Sequence, residues 1–209
     1  MNGAITERLA LIPALKSGSH RRPPDDAHIE ACVMEAVSWL ANEPWSDTPE
    51  CACPVICAFM QSWNDGLPDD ERDALLRPLI PLLIGTRAAP EIEQRRAVMV
   101  ADWLIREHAP AWLRLAGLTV QADALASLPQ VTDFLQCPSL MPTLNAVRKD
   151  ADAARDAAWD AAWAAAGDAA RDAAGAAAWA AAWAALGPTR LELQQSALRL
   201  VSRMIECGR

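Results

Sequence analysis

The chain of 209 residues has no tyrosine, two phenylalanines, nine glycines and three histidines, and lysine supplies only two of its nineteen basic residues. Tryptophan therefore carries almost the whole aromatic inventory, with nine residues. The arginine bias accompanies a high alanine content and reads as the codon usage of a GC-rich genome, without functional content. A basic excess is also missing. The formal charge is −8, and binding to a phosphate backbone needs a basic surface, so no direct nucleic-acid binding is expected. A charge of this size mainly keeps a protein soluble and is too small to argue for mimicry of DNA.

Long apolar runs are absent as well. Residues 173–188 lack charge, but they are only 16 long and mostly alanine. A membrane span needs roughly 20 strongly apolar residues, so no membrane is expected. At the N-terminus, Glu7 and Arg8 stand directly before a short apolar run interrupted by Pro13, which is not the pattern of a signal peptide. Six cysteines in such a chain are expected to be reduced thiols of a cytoplasmic protein. There is no glycine-rich phosphate loop. His20, His28 and His108 stand alone, without the Ser/His/Asp or Cys/His arrangement that activates a nucleophile, so no catalytic residue is expected. No alternating pattern runs long enough for a strand, and the expected fold is all-α.

What is present fits that fold. An apolar fraction of 52% and a charged fraction of 22% are those of a globular protein. The spacing predicts a short helix over 4–16, a loop over 17–24, and a helix capped by Asp25 or Asp26 that reaches Glu43. Ile29, Cys32, Val33, Ala36, Val37 and Leu40 lie on one face of the latter. Pro54 suits the first position of a helix that Asn64-Asp65-Gly66 ends. Pro68 with Asp69, Asp70 and Glu71 starts another, which Pro78 and Pro81 must kink or break. Pro90 opens a helix to about His108 with Ile92, Val98, Met99, Trp103 and Leu104 inward. Pro110 begins a continuation ended by Gly117, and two short helices follow around 119–128 and 130–137. Pro142 starts a long helix. Gly187-Pro188 reads as a stop, and Thr189 with Glu192 as the capping box of a last helix, with Leu193, Ala197, Leu200, Val201 and Met204 on one stripe. The expected organisation is a compact helical part over 1–140, a long alanine-rich helix over 141–187 and a C-terminal helix over 188–209 packed back in a bundle.

Residues 150–186 repeat with a period of four, and alanine makes up 22 of these 37 residues. Asp152, Asp156, Asp160, Asp168 and Asp172 mark one position of the repeat. Arg155, Trp159, Trp163, Gly167, Arg171, Gly175, Trp179 and Trp183 mark the position three later. A step of four residues turns an α-helix by about 400°, so each stripe drifts by about 40° per repeat and the two tryptophan pairs point opposite ways on a continuous rod. A rod of about 55 Å fits this pattern, and so does a hairpin broken near Gly167 or Gly175. A glycine costs a helix only about 1 kcal/mol, which favours the rod. Trp159, Trp163, Trp179 and Trp183, with Asp160 and Asp168, form a surface that could anchor a protein partner or pack on the chain's own globular part. The near-identity of the codons involved also gives the repeat an origin by slippage, without selection on single tryptophans.

Chemistry, if there is any, falls elsewhere. Cys51, Cys53 and Cys57 are the cysteines a metal would use, but their CxC-x3-C spacing is not the CxxC knuckle of structural zinc, and no metal or other cofactor is expected. Glu35, Glu43, Ser46, Asp47, Glu50, Asn64, Asp65, Arg95, Arg96 and Asp102 are polar residues beside loops or on otherwise apolar helices. Such a set builds either an active site or a salt-bridge network.

Cys32–Asp65 resembles a group of uncharacterised proteins from phages and GC-rich bacteria. The likeness rests on Glu35-Ala36, Glu43, Ser46-Asp47, Pro49, Cys51, Cys53-Pro54-Val55-Ile56 and Asn64-Asp65. It extends to Arg95-Arg96 with Asp102-Trp103, the Ala/Trp/Asp/Arg tract and the closing LQQSALRLVSRMI. Thr48 stands where the group's pattern leads one to expect histidine, which further disfavours a metal. The resemblance implies a mobile-element context and no particular chemistry. The leading expectation is a non-catalytic protein-binding protein, an accessory factor inhibiting a host defence complex. The alternatives are an enzyme or small-ligand binder using the 43–65 loops with Arg95 or Arg96, and a self-assembling homo-oligomer that pairs alanine faces.

Overall fold

The structure, a computed structural model, describes residues 7–22, 29–165 and 171–208, and the side chains of these outside 158–185. The fold is all-α. Among the described residues the only extended pairing is a single parallel bridge between Leu15 and Ala31. The chain divides into two compact units, one of Met1–Ala97 with Val201–Arg209 and the other of Val98–Leu200. The divisions fall inside helices, whereas the sequence places its boundaries at 140 and 187.

The first unit is built around helix α1, Val33–Leu40, in which every residue is buried. The expected stripe of Val33, Ala36, Val37 and Leu40 is there, but so is a buried opposite face carrying Glu35 and Ser38. The helix starts later than Asp25 or Asp26, and those two residues lie outside the described part. Its cap is Cys32, whose Sγ accepts the Glu35 N–H at 3.4 Å while the Glu35 carboxylate accepts the Cys32 N–H at 2.7 Å. This is the reciprocal geometry of a capping box, with a thiol where serine or threonine is usual. Ile29 precedes the helix and is buried.

Against α1 pack α2, Pro54–Gly66, and the short α4, Ile80–Leu83. Between them run α3, Asp69–Leu76, and a 3-10 turn at Arg77–Leu79. Pro54 opens α2 as expected, because a first-turn position needs no N–H. The three acids after Pro68 occupy the first turn of α3, where the helix dipole favours them. The N-terminal helix over 4–16 is shorter than expected. Helical geometry covers Glu7–Leu9, and Pro13 stands in the irregular chain that follows, from which Ile12 and Leu15 enter the core.

Helix α5 (Pro90–Trp103), which enters the second unit at Val98, passes into a π turn over Leu104–His108 and then into α6, Ala109–Leu115. Pro110 explains the turn. It has no N–H to give the carbonyl of Arg106, and its ring would press on that carbonyl in a regular helix. One extra residue in the turn relieves the clash, and the Ala109 N–H bonds to the Leu104 carbonyl instead. The wider turn also shifts the helical phase, so Leu104, expected inward, is exposed. Gly117 ends α6 with a φ of 77°, a left-handed conformation that suits glycine. The hairpin partner α7, Thr119–Ala126, packs on α6 and on α8, Cys137–Ala165. A small core of Val98, Val131 and Leu140, with Ile105, Leu128 and Leu144 against it, closes this unit.

Two further helix limits differ from expectation. The long helix begins at Cys137 after a 3-10 turn at Phe134–Gln136, with Pro142 inside its first turns. The last helix, α9, runs Arg171–Glu206 straight through Gly187-Pro188. Gly187 takes no left-handed φ, so it makes no stop. Continuity past Pro188 is carried by the apolar stripe beyond it, since Leu193, Ala197, Leu200, Val201 and Met204 are all buried. Whether the repeat is one rod or a hairpin turns on residues 166–170, which lie outside the described part.

Candidate functional site

Glu35, Asn64 and Asp65, with Arg72, Asp73 and Arg77, converge on the irregular N-terminal segment. Residues 8–20 cross α1, α2 and α3 as a largely irregular strap whose backbone pairs with Ala31 beside the Leu15 bridge and within one turn at Leu11 and Ile12, so its other backbone groups need side chains to satisfy them. Asn64, fully buried on α2, gives its Nδ2 to the Lys16 carbonyl at 2.8 Å and accepts the Val33 N–H at 3.2 Å. Asp65 accepts the Gly18 N–H at 2.7 Å and the Asn64 amide at 2.9 Å. Asp73 accepts the Leu15 N–H at 3.2 Å, and Arg77 reaches the carbonyls of Leu9 and Ile12 at 3.1 and 3.0 Å.

Glu35 holds the far end of the strap. Its buried carboxylate accepts the His20 N–H and lies 3.1 Å from the His20 Nδ1. Trp45 Nε1 donates to the His20 carbonyl at 2.8 Å. Arg72, 2% exposed, is the centre of the arrangement. Its Nε donates to the Asn64 carbonyl at 2.8 Å, Nη2 to the Leu67 carbonyl at 2.6 Å, and Nη1 to the Leu15 carbonyl at 3.3 Å and to Asp69 at 2.6 Å. The Arg72 guanidinium, through that bond, lowers the Asp69 carboxyl below its ordinary range.

The other residues singled out by sequence go separate ways. Glu43 has one buried carboxylate oxygen without a hydrogen-bond partner, and its side chain meets the Cys51 thiol. Asp47 uses its carbonyl to accept from Gln61 at 2.7 Å, and Ser46 Oγ caps the turn by accepting the Thr48 N–H at 3.0 Å. Glu50 and Arg95 are exposed. Arg96 is buried and donates to the carbonyls of Met204 and Thr86. Asp102 belongs to the second unit, where it accepts from Arg106 and from the Val131 N–H, each at 2.8 Å. Only Asn64 and Asp65 of the set are bonded to each other, and most of the set's other bonds go to backbone groups.

Three of the thiols are held protonated. Burial pushes both Cys57 and Cys32 up to about 12. Burial and then Glu43 raise Cys51. A thiol held protonated is a poor nucleophile and a poor metal ligand. Among the described residues no three His, Cys, Asp or Glu side chains group so as to hold a metal ion. No described helix is long and apolar enough to cross a membrane.

Two features of the second unit escaped sequence reasoning. One is a cluster at the π turn. Trp103 Nε1 donates to Ser196 Oγ at 2.7 Å, Ser196 Oγ donates to Glu107, and His108 lies between Trp103 and Trp112. The signal for it was Pro110, two residues after His108. The other is exposed apolar surface. Leu135 is 85% exposed and Val120 78%, and Leu104, Leu115, Phe134, Met141 and Leu191 are also exposed. Among the described residues of the first unit, only Leu11 and Leu82 are comparable. The sequence-derived partner surface of Trp159, Trp163, Trp179, Trp183 and Asp160 lies where side chains are outside the described part, and Asp168 is outside it altogether. Compared with family models, curated proteins and solved structures, the chain matches none.

Proposed function

We propose that this protein acts without catalysis, by binding another protein through its second unit. The observation that carries the reading is the concentration of exposed large apolar side chains there, above all Phe134, Leu135 and Met141 at the entry to α8. Large apolar groups in contact with water are unfavourable, and where they gather they mark partner surfaces. The tryptophan-bearing repeat follows on the same helix, and Trp159 and Trp163 there are of a residue type that dominates interface energetics. The strap network supports the same reading from the other side, since its polar groups are spent on internal backbone. In its concrete form, the partner is a host defence complex that a mobile-element accessory factor occludes.

The test is capture with the full chain from a lysate of a GC-rich bacterial host, in parallel with a Leu135→Ser/Met141→Ser form. The reading expects a stoichiometric partner with the parent chain and its loss with the variant. Absence of a stoichiometric partner, or retention by the variant, counts against it.

A further inference from the structure

We propose that His108 is a proton-operated latch: its neutral ring fastens the α6–α7 hairpin to the π turn, and protonation of Nε2 releases it. Trp112 Nε1 lies 3.2 Å from His108 Nε2. An indole N–H can only donate, so Nε2 must present a lone pair, and the ring is neutral with its hydrogen on Nδ1. Adding a proton at Nε2 turns the bond into two opposed N–H groups. The ring cannot escape by turning easily, because its other face meets Trp103 at a centroid distance of 4.9 Å. Trp103 is itself held by its bond to Ser196.

The π turn is what makes this stack. With about 4.4 residues per turn, an i→i+5 turn brings positions five apart onto one face, and Trp103 and His108 are five apart. Trp112 follows at the regular spacing of four. Three rings from one chain segment are thereby threaded across the junction of the π turn and α6, and α7 packs on both.

No neighbouring charge compensates a proton there. On the π turn, Arg106 is bonded to Asp102 and Glu107 accepts from Ser196. On the packed elements, Arg114 of α6 and Asp123 of α7 pair with each other at 2.8 Å. Among residues whose side chains are described, α9 in this unit carries Arg190, Glu192 and Arg199. Burial is the sole cause acting on His108, and it lowers its pKa below the ordinary value. The folded state therefore binds the proton less readily than the unfolded one, and the latch holds at neutral pH and weakens as pH falls below the ordinary histidine range.

The test uses the full chain in hydrogen exchange followed by mass spectrometry at about pH 7.5 and about pH 5.5, corrected for the intrinsic pH dependence of exchange. Peptides spanning 109–126 should open about fivefold more at the lower pH, the equilibrium effect of losing one ordinary hydrogen bond. Peptides of α1 and α2 should not follow. His108→Gln, whose amide oxygen accepts the indole N–H but does not titrate, should abolish the pH dependence. Should that variant fail to fold, imidazole NMR of the parent chain decides. His108 must titrate below the ordinary histidine value with its Nδ1–H tautomer populated above it. Unchanged protection of 109–126 at about pH 5.5, equal opening of both units, or ordinary titration of His108 overturns the latch.

Discussion

Replacing Arg72 with methionine removes the group that ties the strap to the first unit while keeping the length and apolar stem of the side chain. Three carbonyls lose a charged donor, those of Asn64, Leu67 and Leu15. A buried acceptor left without its donor costs about 1–3 kcal/mol. The bonds at 2.6 and 2.8 Å deserve the upper part of that range, and the one at 3.3 Å the lower part. Partial relaxation of the strap brings the sum to about 3–5 kcal/mol, the usual cost of removing one member of a buried charged network. The ion pair with Asp69 adds nothing to this sum, because the Asp69 side chain is 84% exposed. A domain is stable by only about 5–15 kcal/mol, so the variant folds with little margin. Urea unfolding followed by fluorescence of Trp39, Trp45 and Trp63 reads the effect. With a slope of about 2 kcal/mol per molar, the midpoint falls by about 2 M. Asp69→Asn should leave it unchanged. A shift below about 0.5 M for Arg72→Met, or an equal shift for both variants, would refute the reasoning.

Two further predictions follow. Cys32 and Cys57 are raised from 9.0 to about 12 in the folded chain, so the unfolded chain loses these protons first. Their contribution is whole below pH 9.0 and is lost as pH rises toward about 12. Melting under reducing conditions should therefore fall more steeply over that range for the parent than for Cys57→Ala, and parallel slopes would contradict it. Pro188 sits exposed inside α9, where a proline costs a helix about 3 kcal/mol. Pro188→Ala should raise the melting temperature of the full chain, and a fall would contradict this cost.

Much of the helical layout was legible in the sequence because its punctuation is local. Pro54, Pro68 and Pro90 mark helix starts through a missing N–H, and Gly117 marks an end through its left-handed φ. The cap of α1 was not legible, because cysteine is no usual capping residue and only the structure aligns its sulfur with the Glu35 N–H. Gly187-Pro188 misled for the opposite reason: a strong local stop was overridden by burial of the stripe beyond it. The polar set was recognised by composition, but its purpose depends on pairs separated widely in sequence, such as Asn64 with Lys16 and Arg72 with Leu15. Pairings of that kind leave no periodic trace. The π turn lies between these cases, since Pro110 announces a disturbance without saying which rings it brings together.

The central claim is that this protein acts through apolar surface on its second unit and not through its polar loops. Calorimetric titration of the captured partner with three forms of the full chain tests it most directly: the parent, Leu135→Ser/Met141→Ser, and Glu50→Gln/Arg95→Gln. An apolar anchor at an interface contributes about 2 kcal/mol, so the account predicts a loss of about thirtyfold or more in affinity for the first variant. It predicts parent-like affinity for the second. Loss with Glu50→Gln/Arg95→Gln and full binding by Leu135→Ser/Met141→Ser would contradict it.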